Sequence, residues 1–239
     1  MLDQALLLEK TTHVLTGTYD FQKLAQQAVD LLYKELKHDG FVGAGVFRVR
    51  SENNEIYAYA YNANYKKAAD AILPIPFSKM HLTLNAKDNL VVRTIHTNQI
   101  QQSARLSDFT MHVTPDRVAD QLQKLMRIKQ IITIPIATKS GRVAGVLIVP
   151  FSTDKISPEQ IALIQAFSRQ LGLAFSNIFA FERLTQSYKK FDSVPISEEQ
   201  IPSIKFTLRL TPRQIKKLEQ ESKIKKKTKA ELIRELIGQ

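Results

Sequence analysis

Two pairs of strand-like runs, each joined by a short polar turn, set the strongest constraint on this chain. Residues 41–50 (FVGAGVFRVR) and 55–62 (EIYAYAYN) flank Ser51-Glu52-Asn53-Asn54. Residues 130–138 (QIITIPIAT) and 141–151 (GRVAGVLIVPF) flank the turn Lys139-Ser140-Gly141. Runs of β-branched and aromatic residues bounded by turn-formers read as hairpins. Their content points to an antiparallel sheet.

Helical patterns surround these strands. Leu2, Ala5, Leu6, Leu8 and Val14 make residues 1–14 an amphipathic helix candidate. Asp20 is placed to cap a second helix, in which Phe21, Leu24, Ala28, Leu31, Leu32 and Leu36 share a face and Asp39-Gly40 ends the run. Pro74 and Pro76 bracket an extended piece, which residues 81–84 (HLTL) continue. Asn89 is expected to cap a short helix, and residues 101–129 show weak helical periodicity around Val118 to Met126. Ser157-Pro158-Glu159 opens a long helix through Tyr188. Residues 189–203 break every periodicity and read as a linker. The expected body is α+β, an antiparallel sheet with helices on one face.

The length of 239 residues suits one or two domains, and the absence of cysteine removes disulfides, thiolate metal sites, iron–sulfur clusters and thiol redox chemistry. It also suits a reducing cytoplasm, the expected location. No run approaches a membrane span, and MLDQALLLEK lacks the marks of a signal peptide. His13, His38, His81, His96 and His112 show no close ligand spacing, so no metal site is expected. Tyr57, Tyr59 and Tyr61 alternate onto one strand face, a stripe that packs against helices more often than it lines a ligand pocket. Phosphate loops and nucleophile elbows are absent, and catalysis is not expected.

The net charge of +11 is unevenly placed. Residues 204–239 hold 11 Lys+Arg against 4 Asp+Glu, a net of +7, whereas the first 203 residues carry only +4. That asymmetry points to a polyanion-binding tail on a near-neutral body. Within the tail, IKFTLRL alternates strictly, with Ile204, Phe206, Leu208 and Leu210 on one side and Lys205, Thr207 and Arg209 on the other. Two short helices follow, the first opened by Thr211-Pro212 and the second by Thr228 with Glu231 at the capping-box position. One strand and two helices bury too little alone, whereas two copies pair their strands into a ribbon over four helices.

This layout resembles the ribbon-helix-helix family of dimeric DNA-binding proteins, although that family often has Gly and an aliphatic residue where this chain has Lys226 and Lys227. The resemblance implies an intertwined dimer whose Lys205, Thr207 and Arg209 contact bases in the major groove of double-stranded DNA. Thr228 and Lys229 would then hold a phosphate at a helix N-terminus, with Lys225, Lys226 and Lys227 adding phosphate attraction.

The element order of the body, with GRVAGVLIVPFSTDKISPEQIALIQAFSRQLGLAF, resembles a GAF domain over residues 19–183. That resemblance implies a sheet of about six strands, dimerisation through terminal helices, and a pocket whose lid is residues 78–129. No cofactor is predicted, but a noncovalent small-molecule ligand is compatible with such a pocket. The sulfoxide-reducing and bilin-attaching members of the family need cysteines, which this chain lacks. The expected organisation is a sensor and dimerisation domain (1–188), a linker (189–203) and a DNA-binding domain (204–239). The expected function is a homodimeric transcriptional regulator, with further oligomerisation on DNA left open and no membrane partner. The alternative is a non-enzymatic adaptor with a basic anchoring tail.

Overall fold

The computed structural model describes Leu15 and residues 18–37, 39–63, 66–192 and 219–222. Asp20 starts the first full helix, α1 (Phe21–Leu36), by accepting a hydrogen bond from the Lys23 backbone N–H at 2.8 Å. Its apolar face, including Phe21, Leu24, Ala28 and Leu32, is buried. The chain turns at Gly40 and enters β1 (Gly43–Arg50), which forms an antiparallel hairpin with β2 (Glu55–Ala63). A middle region follows: α2 (Lys66–Ile72), a 3-10 turn (Phe77–Lys79), β3 (His81–Thr83), α3 (Leu90–Thr97), β4 (Gln101–Ser103), α4 (Ser107–Thr110) and α5 (Asp116–Leu125). The second hairpin, β5 (Gln130–Ala137) and β6 (Val143–Phe151), leads into α6 (Pro158–Asp192).

The six strands form one antiparallel sheet in the order β3-β2-β1-β6-β5-β4. The two expected hairpins meet at its centre, where β1 pairs with β6 from Gly45↔Ile148 to Arg48↔Gly145. The edge strands have three residues each, which limits their exposed backbone.

Both faces are covered, a correction to the expectation of helices on one face. On one side, α1 and α6 pack Leu24, Leu32, Phe167, Leu171 and Phe175 against Val46, Ile132, Ile134, Leu147 and Val149. On the other, Val91, Val92 and Phe109 from the middle region cover Ile56, Ile131 and Val146. The middle region therefore forms a third layer built from helices of four to ten residues.

Helix α6 begins as expected, and Ser157 and Gln160 form a reciprocal cap. Gln160 N–H donates to Ser157 Oγ at 3.2 Å, and Ser157 N–H donates to Gln160 Oε1 at 2.9 Å. The helix continues to Asp192, into the first residues of the segment expected as linker. The chain divides into two compact units, residues 1–191 and 192–239. Of the second, the described residues are Asp192, which ends α6, and Glu219 to Ser222, all helical. The expected helix at residues 1–14 lies outside the described residues, as do His13 and His38.

Candidate ligand cavity

A β-bulge decides which side chains face the middle layer. The β1–β2 register pairs Val46 with Ala60 but Phe47 with Ala58, leaving Tyr59 as the extra residue. The bulge breaks the expected one-sided tyrosine stripe. Tyr57 and Tyr59 flank Arg50, whose guanidinium lies 4.6 and 5.8 Å from their ring centroids, and Arg50 donates to the Tyr59 hydroxyl at 2.5 Å. Tyr59 packs with the α1/α6 cluster, whereas Tyr61 turns to line a cavity on the opposite side.

That cavity, of about 150 Å³, lies between the sheet and the middle layer. Gly45, Ile56, Ile131 and Ile148 form its floor; Phe77, Met80, Leu106, Phe109, Val113, Thr114, Leu122 and Met126 contribute to its walls and roof. Rings surround it closely: Phe77 is 4.4 Å from Tyr61 and 5.6 Å from Phe47, centroid to centroid. Among the described residues no Lys, Arg, Asp or Glu lines it, and its one histidine, His81, has Nδ1 3.3 Å from the Lys79 carbonyl. The other polar lining residues are mostly engaged with protein groups. Tyr61 hydrogen-bonds Asp70, Asn62 donates to Asp30 at 2.7 Å, and Thr110 Oγ1 donates to the Leu106 carbonyl at 3.2 Å. Thr114 differs. It is 5% exposed, and its hydroxyl is buried without a hydrogen-bond partner among the described residues.

The roof is anchored from one place, the start of α3. Asn89, fully buried, accepts a capping bond from Val91 N–H at 2.8 Å, as its sequence position suggests. Its amide also donates to the Phe109 and Met111 carbonyls at 3.0 and 3.1 Å. Asp88 reaches His112 Nε2 at 2.9 Å, and this bond holds its carboxyl below the ordinary range. His112 itself sits at φ 70, in the left-handed region. Gln123 of α5 ties the preceding loop through Leu106 N–H and the Ala104 carbonyl, at 2.8 and 2.7 Å. Beside the cavity, burial lowers the ordinary pKa of the Lys66 ammonium while Asp30 opposes the shift, and Lys66 Nζ lies 3.6 Å from the Tyr61 ring centroid.

A second hollow, of about 550 Å³, is polar and lies near the hairpin turns on the α6 side. Arg48, Lys139, Arg142 and Arg183 line it together with Glu52 and Glu182. Arg48 is committed there to a two-pronged contact with Glu182, at 2.9 and 3.4 Å.

The GAF domain family model matches residues 20–175. The chain belongs to the GAF domain family. Among solved structures, it is similar to the GAF domain of a phosphoenolpyruvate-protein phosphotransferase from Acinetobacter, with 12% identity, a TM-score of 0.55, and coverage of 74% of this chain and 95% of that one. The GAF domain of the corresponding phosphotransferase from Coxiella burnetii gives 14%, 0.55, 77% and 96%. A free methionine-R-sulfoxide reductase from Neisseria meningitidis, in complex with its substrate, gives 11%, 0.51, 73% and 90%. These identities establish a shared fold alone. None of the curated proteins matches the chain.

The GAF sheet and its middle-layer cavity thus agree with the resemblance read from the sequence, including a lid drawn largely from residues 78–129. The proposed base contacts Lys205, Thr207 and Arg209 lie outside the described residues, as do the phosphate contacts Lys225, Lys226, Lys227, Thr228 and Lys229. Thr114, Phe109 and Met126 were not legible as lining residues, because separate short elements bring them together. Among the described residues no group of three His, Asp or Glu could hold a metal ion, and no helix is long and apolar enough to cross a membrane.

Proposed function

We propose that this GAF protein is a non-enzymatic, cytoplasmic transcriptional regulator whose cavity senses a small molecule and whose C-terminal segment binds DNA as a dimer. The largely apolar cavity under an anchored roof carries the sensor half of this reading. The DNA half is supported by the net charge of +7 in residues 204–239 and the alternation of IKFTLRL. Ligand and DNA would be coupled if the ligand favours one of two arrangements of the dimer. Leu173, Phe181 and Leu184 of α6 are exposed, a surface that favours association.

The full chain is expected to protect a preferred site in DNA footprinting. Substituting Lys205, Thr207 and Arg209 together with Ala should abolish that preference while leaving the salt-sensitive attraction of Lys225–Lys227. Absence of any preferred site would favour the adaptor reading, in which the exposed α6 residues recruit a partner. Sedimentation should show a dimer; a strict monomer at micromolar concentration, with DNA present, would overturn the ribbon arrangement.

A further inference from the structure

We infer that the cavity of this GAF domain takes an uncharged monocyclic aromatic molecule bearing one hydroxyl, of the phenol class. This rests on the sensor reading of the same cavity and narrows its ligand chemistry.

Size sets the first limit. The cavity holds about 150 Å³. Apolar cavities of about that volume accept a single benzene-sized ring, whereas drug-sized ligands occupy roughly 300–1,000 Å³. Charge sets the second. Among the described residues the lining contains no Lys or Arg to neutralise a phosphate or carboxylate, and no Asp or Glu to neutralise an amine. His81 also lines the cavity, and the Lys66 ammonium beside it lies 3.7 Å from Asp70, so an anion moved there would lose hydration for little free counter-charge, and size is the stronger bar to anionic nucleotides.

Shape and hydrogen bonding complete the assignment. Phe47, Phe77, Phe109 and Tyr61 present ring faces and edges, and Met80 and Met126 add polarisable sulfur, surroundings that suit a flat aromatic ring. The Thr114 hydroxyl is the buried lining group that no protein atom satisfies among the described residues. A hydroxyl can both donate and accept, so a phenolic O–H would meet it in either sense once Thr114 turns its buried oxygen toward the cavity.

The test uses the full chain, with calorimetry and thermal shift against phenol, toluene, benzoate and cyclic GMP. Phenol is expected to bind and raise the melting temperature, toluene to bind more weakly, and benzoate and cyclic GMP not to bind. Thr114→Val keeps the side-chain shape and should weaken phenol about five- to tenfold while leaving toluene unchanged. Val113→Phe, which fills the space, should weaken both. If toluene and phenol bind equally and Thr114→Val changes neither, the hydroxyl assignment is wrong but the cavity remains a binding site. If benzoate or cyclic GMP binds more tightly than phenol, the ligand class is wrong. If no probe binds the folded protein, both the inference and the sensor reading of this cavity fall. Phenol binding that leaves DNA affinity unchanged would overturn the sensor reading alone.

Discussion

Gly172 of α6 lies so close to the Ala137 carbonyl of β5 that a β-carbon at Gly172 would stand 2.0 Å from the oxygen and 2.9 Å from the carbonyl carbon. Ser168 and Ser176, one helical turn to either side, extend the contact. The Ser168 hydroxyl donates to the Pro135 carbonyl at 2.9 Å, and Ser176 Oγ accepts from Lys139 N–H at 3.0 Å while donating to the Gly172 carbonyl at 2.8 Å. Small residues at this spacing let the helix approach the sheet at backbone distance.

Gly172→Ala tests that approach because propensity and packing oppose each other. Alanine favours a helix interior over glycine by about 1 kcal/mol. The clash is with backbone, which cannot rotate away as a side chain can, and overpacking of this kind costs about 1–3 kcal/mol. Packing should win, giving a lower urea midpoint with an unchanged slope. A stabilised variant would show that α6 can move off β5 freely.

Asn89→Ala should be more damaging than loss of a helix cap alone. The cap is worth about 0.5–2 kcal/mol, and freeing the Phe109 and Met111 carbonyls adds the desolvation cost of unsatisfied acceptors, so about 2–4 kcal/mol is expected in total. Hydrogen exchange should accelerate in residues 107–114, the roof of the cavity. Exchange confined to α3 would mean that the roof does not depend on Asn89.

The contrast between Asn89 and Thr114 shows what was legible in this chain. Asn89 precedes a short apolar helix, so its capping role follows from local spacing, but its bonds to Phe109 and Met111 require two segments to meet. Capping by Asp20 and Ser157 was readable for the same local reason. A lid over residues 78–129 follows from the GAF resemblance but not from periodicity, although VAGVLIVPF runs apolar without alternation, a pattern that suits a strand buried on both faces. Helices α2 and α4 have seven and four residues, too few turns to display a periodicity. Tyr59 reads as one step in an alternation until the bulge opposite Val46 and Phe47 shifts it.

The Asp88–His112 contact makes the roof sensitive to acid. The hydrogen bond from His112 is the main cause of the lowered Asp88 pKa. A carboxyl whose folded pKa is depressed stabilises the fold above its unfolded value, and that contribution fades as pH falls through the lower folded value. Replacing His112 with Ala should therefore move the Asp88 titration upward toward that of an ordinary aspartate, followed by carboxyl-carbon NMR. Identical titrations in the two proteins would show that the contact does not persist in solution.

Arg48→Lys should be destabilising despite keeping the charge. The Arg48 guanidinium lies 4.5 Å from the Phe21 ring centroid and 4.7 Å from that of Phe179, while its two terminal nitrogens reach the two oxygens of Glu182. A planar fork can lie against two rings and bond a carboxylate at once, whereas an ammonium is a compact, strongly hydrated point charge. The partners are 19% and 38% exposed, so solvent screens the ion pair and the ring contacts should dominate. Loss of about 1–2 kcal/mol is expected for Arg48→Lys, against about 0.5 kcal/mol for Glu182→Gln. Urea unfolding at low and high salt separates the two contributions, since screening acts on the ion pair and little on the packing. If Arg48→Lys matched the native protein, Phe21 and Phe179 would hold α1 and α6 together without the guanidinium against them.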